Sequence, residues 1–251
     1  MDEAELALRR SQMGRSCIRF VANGPRSLAD QATGYWVALS GTASPDLNVA
    51  LIDSGDSGIL AKVMGRVEKA GLPTFVLQAG PSLDFDLGPG WLQVGEMPFM
   101  AFDLDASDPR PDSRVRQAHP SEREVFDGLL ADAFGLGVEV ADVVGAVVER
   151  DDPANDAWLL IEGELAVSTV LTSIVDDVAC VWCMATPERF ARRGYGRALL
   201  FDVLGRAKAS GAHIALLGAT PAGKPLYDAT GWTTLEVWRV STNLAAEKPF
   251  S

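Results

Sequence analysis

One run of sequence limits what this chain can fold into more than any other. VACVWCMA, at 178–185, is rich enough in Val, Trp and Cys to read as a strand. It leads into PERFARRGYGRALL (Pro187–Leu200), where a glycine turn gives way to helical spacing through Leu199, Leu200, Val203 and Leu204, ending at Gly211 in a C-cap position. HIALLGA then reads as a short buried strand. Strand, glycine turn, helix and strand in succession predict mixed α/β layers. The neighbouring sequence extends the pattern. VRQAH (Val115–His119) reads as a strand, and Ser121 with Glu124 fits a capping box opening a helix whose apolar stripe is Val125, Leu129 and Phe134. A second helical stretch near Glu139–Val148 ends at the Asp-Asp-Pro of 151–153. AWLLIEG and LAVSTVLTSIV are further strands, PLYDATG a short helix and WTTLEVWRV a last strand.

A chain of 251 residues has room for one large domain or two small ones. The best boundary is DASDPRPDSR (Asp105–Arg114), which is polar, holds two prolines and lacks a hydrophobic period. An internal echo supports two copies of one α/β unit. AKVMGRVEKAG (Ala61–Gly71) lies 140 residues before FDVLGRAKASG (Phe201–Gly211), matching Val63 with Val203, Gly65 with Gly205, Arg66 with Arg206 and Gly71 with Gly211. PTFVLQAG then overlies HIALLGAT, and Gly90-Trp91 is answered by Gly231-Trp232.

The chemistry concentrates in the glycine turn. Gly194 and Gly196 let the backbone turn tightly and leave no side chain in a ligand's way. The first-turn N–H groups and the helix dipole offer partial positive charge, to which Arg192, Arg193 and Arg197 add full charges. This suits an anion, above all a pyrophosphate. A Walker loop is excluded because no Gly-Lys-Ser/Thr ending is present, and the dinucleotide fingerprint fails after Gly196. At the same offset the first copy carries Ile52–Asp56, IDSGD, with acids where the second has arginines. Two carboxylates repel a pyrophosphate, so the first copy is expected to have lost anion binding.

The segment Ala191–Gly196, with Tyr227, Gly231 and Trp232 downstream, resembles the GNAT superfamily of acyl-CoA-dependent N-acetyltransferases, over about Arg114–Val240. The family's Arg/Gln-x-x-Gly-x-Gly/Ala signature departs here only in its first position, Ala191. The resemblance implies an α/β (α+β) fold of two tandem units, each a mixed, mostly antiparallel sheet flanked by helices. Residues 1–112 would form a degenerate N-terminal unit and 113–251 the acyl-CoA-binding catalytic domain. It further implies acetyl-CoA as cofactor. Cys183, Met184, Ala185 and Thr186 would hold the pantetheine arm and thioester carbonyl, and Arg192, Arg193, Gly194, Tyr195, Gly196 and Arg197 the pyrophosphate. A primary amine would attack the thioester directly, with Tyr227 protonating the departing thiolate. The alternative is an acyl-CoA-binding regulator without turnover, and beyond it a purely structural protein whose glycines serve only a turn.

No general base stands out. Glu162, Glu164, Asp176 and Asp177 read as turn residues, and His119 and His213 as structural. Cys180 and Cys183 lie three apart on a strand and face opposite sides, so no metal is expected. The formal net charge of −12 argues against nucleic acid and anionic membrane as partners and favours a cationic amine, small molecule or peptide. Three cysteines, no apolar run of membrane-spanning length and an acidic N-terminus predict a cytoplasmic protein. The oligomeric state is left open.

Overall fold

The structure, a computed structural model, describes residues 1–22, 24–150, 152 and 155–244. In chain order the first half contains α1 (Glu3–Val21), β1 (Leu28–Ala32), β2 (Tyr35–Leu39), β3 (Asn48–Ile52), α2 (Ser57–Ala70), β4 (Phe75–Gln78) and β5 (Leu92–Asp103). The second contains β6 (Val115–Gln117), α3 (Arg123–Phe134), α4 (Val138–Gly145), β7 (Asn155–Glu162), β8 (Leu165–Val175), β9 (Val178–Ala185), α5 (Tyr195–Ala209), β10 (Ile214–Gly218), α6 (Lys224–Ala229) and β11 (Thr233–Thr242). These are the mixed α/β layers that the sequence pattern predicts, in the mostly antiparallel arrangement that the resemblance implies. Among the described residues no helix is long and apolar enough to cross a membrane.

The chain divides into two compact units. The first gathers 1–100, 218–227 and 233–251; the second gathers 101–217 and 228–232. In the first unit the strands lie in the order β1-β2-β3-β4-β11-β5. β3, α2 and β4 form a parallel crossover, with Val49 opposite Phe75 and Ile52 opposite Gln78. β11 pairs antiparallel with β4, Arg239 opposite Gln78 and Thr242 opposite Phe75. All five residues of β2 are buried because both its faces are covered. Tyr35, Val37 and Leu39 join Val63, Met64 and Val67 of α2 in one core cluster. Trp36 points the other way, against α1 at Gly14, where an added Cβ would lie 2.5 Å from the indole ring.

A buried charge cluster ties α1 to β11. Arg10, 1% exposed, donates from Nε and Nη2 to the two carboxylate oxygens of Glu236, each at 2.6 Å. Its Nη1 donates to Glu3 at 2.7 Å and reaches Asp53 at 3.5 Å. Burial works against this guanidinium's charge, yet the hydrogen bonds and fields of Glu236 and Glu3 outweigh it and raise its pKa. Burial raises the Asp53 carboxyl, with Arg10 opposing.

In the second unit the strands lie in the order β10-β9-β8-β7-β6. β9 and β10 are parallel, and the remaining pairs are antiparallel. β8 is buried at odd and even positions alike from Val167 to Ser173, so both sheet faces are covered; α3 and α5 pack against it. The polar segment 105–114 lies along α5. Lys208 donates to the Ser107 carbonyl at 2.6 Å, the Asp112 N–H donates to Asp202 at 2.9 Å, and the Pro109 carbonyl comes within 3.0 Å of where a Cβ on Gly205 would stand.

Two local expectations shift by one step. Pro120 opens a 3-10 turn, Pro120–Glu122, so α3 begins later than the sequence suggests. The capping pair is His119 and Glu122 instead of Ser121 and Glu124: the His119 N–H donates to the Glu122 carboxylate at 2.9 Å, and the Ser121 N–H reaches the His119 Nδ1 at 3.3 Å. The helix phase moves with it, so Phe126, Leu129 and Leu130 are buried while Val125 is 46% exposed. Of the turn expected at 151–153, residues 151 and 153 lie outside the described residues.

Candidate active site

The second unit brings most of the predicted site residues to one end of its sheet. β9 runs toward the glycine turn and departs from regular pairing on the way. Thr169 and Leu171 of β8, two apart, face Ala185 and Trp182 of β9, three apart. The additional residue is a β-bulge, where Cys183 takes a left-handed φ of 49°. The parallel ladder with β10 covers only Val178–Cys180, opposite Ile214–Leu216, while β9 continues to Ala185. Cys183, Met184, Ala185 and Thr186 thus belong to a stretch of β9 and its exit that lies beyond that ladder. Ser168 fixes this exit, its hydroxyl donating to the Ala185 carbonyl and meeting the Thr186 hydroxyl, both at 2.8 Å. Cys180 is fully buried in the ladder, and no group of acids, cysteines and histidines suited to a metal ion occurs among the described residues.

After a 3-10 turn at Glu188–Phe190 the chain reaches the arginines. Arg192 adopts a φ of 59° and Gly194, the N-cap of α5, a φ of 82° with ψ 0°. That left-handed N-cap explains the glycine: space alone does not, since an added Cβ would meet nothing within 4 Å. With no side chain at the cap and no acid in the first turn, the leading N–H groups of α5 are left for a ligand or water. Arg192, Arg193 and Arg197 are exposed, and none has a carboxylate partner among the described residues. Arg197 lies over the Phe201 ring at 5.4 Å, and Tyr195, in the first turn, carries Arg114 at 5.9 Å.

Beside this helix start lies a cavity of about 430 Å³, lined from α5 by Gly194, Arg197, Ala198 and Phe201 and from the polar segment by Asp108, Arg110, Pro111 and Asp112. Arg110 is the site residue that sequence reading missed, because nothing in a polar, proline-bearing segment signals that it will lie along a helix. Asp112 does not oppose an anion as strongly as its charge suggests. Its carboxylate is engaged by Arg114 at 2.8 Å, whose hydrogen bonds hold it below the usual carboxylate range.

The acid and histidine candidates separate by topology. Asp176 and Asp177 form the β8–β9 turn at the end where β10 begins, and the Asp177 carbonyl accepts from the His213 N–H at 2.9 Å. From there β9 runs its whole length, roughly 25 Å at ~3.3 Å per residue, before the glycine turn starts. His213 pairs at 3.0 Å with Asp105, whose hydrogen bond raises the imidazole pKa. Glu162 lies at the nearer end but is bound by Arg114 at 2.6 Å. Glu164, in the same turn, has no ion-pair partner among the described residues. His119 is consumed in capping.

Tyr227 lies in α6, where the first compact unit's segment ends. It is 8% exposed, and its ring approaches within 3.0 Å of a Cβ built on Gly223. In that first unit the N-terminus of α2 shows what the acids of Ile52–Asp56 do. Asp56 is the N-cap and accepts from the Gly58 N–H at 2.7 Å, so a carboxylate of the chain already holds the place an anion would take.

No family model matches the sequence, and no curated protein matches it. Solved structures do resemble it in fold. A GCN5-related N-acetyltransferase from Kribbella flavida superposes with a TM-score of 0.66 at 17% identity, covering 96% of each chain. An acetyltransferase described as a putative GNAT-family member, from Novosphingobium aromaticivorans, gives 0.62 at 13% identity over 90% of this chain and 95% of its own. A GCN5-related N-acetyltransferase from Sphaerobacter thermophilus gives 0.59 at 16% over 83% and 76%. The fold is therefore the GNAT acetyltransferase fold across most of the chain.

Proposed function

We propose that the chain puts this shared fold to use as an acetyl-CoA-dependent N-acetyltransferase, with residues 113–251 as the acyl-CoA-binding catalytic part and 1–112 as a degenerate copy without cofactor. One observation carries the reading. α5 starts at an uncapped glycine among three arginines with no carboxylate partner among the described residues, whereas α2 starts at an aspartate bonded to its own helix. In a chain of net charge −12, a cationic helix start left unneutralised favours an anion such as the diphosphate of coenzyme A. The cavity beside Arg110 and Arg197 falls within the size range of small-ligand sites and suits the nucleotide end of such a molecule.

Bound there, acetyl-CoA supplies an activated acyl group as a thioester. The chain's part is to hold and orient it: Arg192–Arg197 grip the diphosphate, and backbone groups of Cys183–Thr186, turned by the bulge, receive the pantetheine arm and polarise the carbonyl. A primary amine, cationic by preference in solution, would attack as the free base, the C–N bond forming as the C–S bond breaks, and the proton it sheds would pass to solvent water. Tyr227 gives its phenolic proton to the thiolate that leaves, a transfer between groups of comparable basicity.

Four measurements test the reading. Saturating acetyl-CoA at 100 times its Kd stabilises the protein by about 2.7 kcal/mol in thermal unfolding, and no shift at millimolar cofactor refutes cofactor binding. Thiol release across an amine panel separates an enzyme from a silent binder. Tyr227→Phe lowers kcat while leaving acetyl-CoA affinity close to that of the parent; unchanged turnover removes Tyr227 from the acid role. Gly194→Asp abolishes acetyl-CoA binding by placing a like charge at the helix start and straining the left-handed φ.

A further inference from the structure

The first unit holds a second cavity, of about 810 Å³, along α2. Its floor is Ala61, Gly65 and Ala70 of the helix, with Leu28 and Leu72 beside them, and four cations border it: Arg26, Lys62, Arg66 and Lys69. Arg66 is paired with Asp30 at 2.9 Å and Lys62 stands over the Tyr35 ring at 4.8 Å. Arg26 and Lys69 are exposed and have no carboxylate partner among the described residues. So basic a groove is out of character for a chain of net charge −12.

The second unit shows what such a helix face can accommodate. There Gly205, the counterpart of Gly65, lets an extended polar segment approach so closely that the Pro109 carbonyl stands 3.0 Å from the missing Cβ position. Lys208 binds the Ser107 carbonyl of the same strip, and Arg206 the carbonyl of Val115, where the strip passes into β6. On α2 the glycine remains, a Cβ on Gly65 would meet nothing within 4 Å, and the space over it is the cavity. We propose that this groove docks an extended acidic peptide segment of a partner protein, its backbone laid against Gly65 and its carboxylates met by Arg26, Lys62, Arg66 and Lys69. The glycine permits the close backbone approach, and the cations select the charge.

The probe is a fluorescein-labelled nonapeptide, DASDPEPDS, read by fluorescence polarisation on the full chain at low salt, with a counterpart in which every acid is replaced by its amide. The acidic peptide binds saturably and weakens as salt rises, whereas the amide form binds at least about tenfold more weakly. The Arg26→Glu/Lys69→Glu double variant and, separately, Gly65→Leu each reduce affinity by about tenfold or more. Gly65→Leu keeps the parent's circular dichroism and melting temperature or improves on it, because the side chain enters open space and replaces a helical glycine. Equal binding of the two peptides, an unaffected Gly65→Leu variant, or no binding at ~1 mM peptide overturns the proposal. Sodium pyrophosphate that matches the peptide's affinity and displaces it completely also overturns it, by making the groove a small-anion pocket.

Discussion

Single side chains in this protein are constrained by what approaches them from a neighbouring element. Asp127 of α3 has a carboxylate oxygen that is buried without a hydrogen-bond partner, and Gly145 of α4 lies against it so closely that any larger residue there would collide. Burial pushes the Asp127 carboxyl up to about 6, with Arg123 partly opposing. A folded pKa above the ordinary 3.8 means that the folded protein holds the proton more tightly, so the ionised group costs stability above pH ~6 and that cost disappears below ~4. Asp127→Asn is therefore expected to unfold at higher temperature than the parent at pH 7.5, by an amount on the order of 1 kcal/mol after allowance for solvent screening, and to converge with it near pH 4. Calorimetry at the two pH values checks this. At Gly14 the neighbour is the Trp36 ring, and Gly14→Ala forces the indole or α1 to move, at a cost of about 1–3 kcal/mol in denaturant unfolding. Neither constraint is legible in sequence. Each is set by a distance between elements, whereas the left-handed requirement at Gly194 is local and shows in the Arg-Arg-Gly-Tyr-Gly string itself.

At the scale of elements, the difference between α5 and α2 is a difference in who supplies the negative charge. α2 carries its own at Asp56; α5 is surrounded by guanidinium groups. Replacing Arg192 and Arg193 together by Ala is expected to weaken acetyl-CoA binding by ~10–100-fold, with a gap that narrows as ionic strength rises, measurable by titration calorimetry at two salt concentrations. This contrast was readable in advance, because charge and glycine spacing are properties of the string. The bend in β9 was not: only resemblance to known folds suggested a special strand there, and VACVWCMA has no glycine or proline to announce a left-handed Cys183. The α3 capping register also escaped, since histidine is not a capping-box residue by type and only the path of the chain through Pro120 pairs His119 with Glu122. Partner choice between strands was the least legible element property. WTTLEVWRV reads as a strand from its own residues, yet nothing in its periodicity says that it pairs with β4, more than 150 residues away.

For the molecule as a whole, that pairing decides how stability is shared along the chain. Arg10 near the N-terminus and Glu236 near the C-terminus form a buried bidentate pair inside the first compact unit. Arg10→Ala would leave Glu236 and Asp53, 15% and 8% exposed, without the guanidinium and is expected to cost roughly 3–5 kcal/mol, seen as a lowered urea midpoint at neutral pH. The arrangement also sets an order of events during synthesis. The strand that lies between β4 and β5 is synthesised only after β6 to β10 of the second unit. Until then the nascent chain carries an unpaired β4 edge, and the unit that holds β4 completes its sheet only after the strands of the other unit have been made.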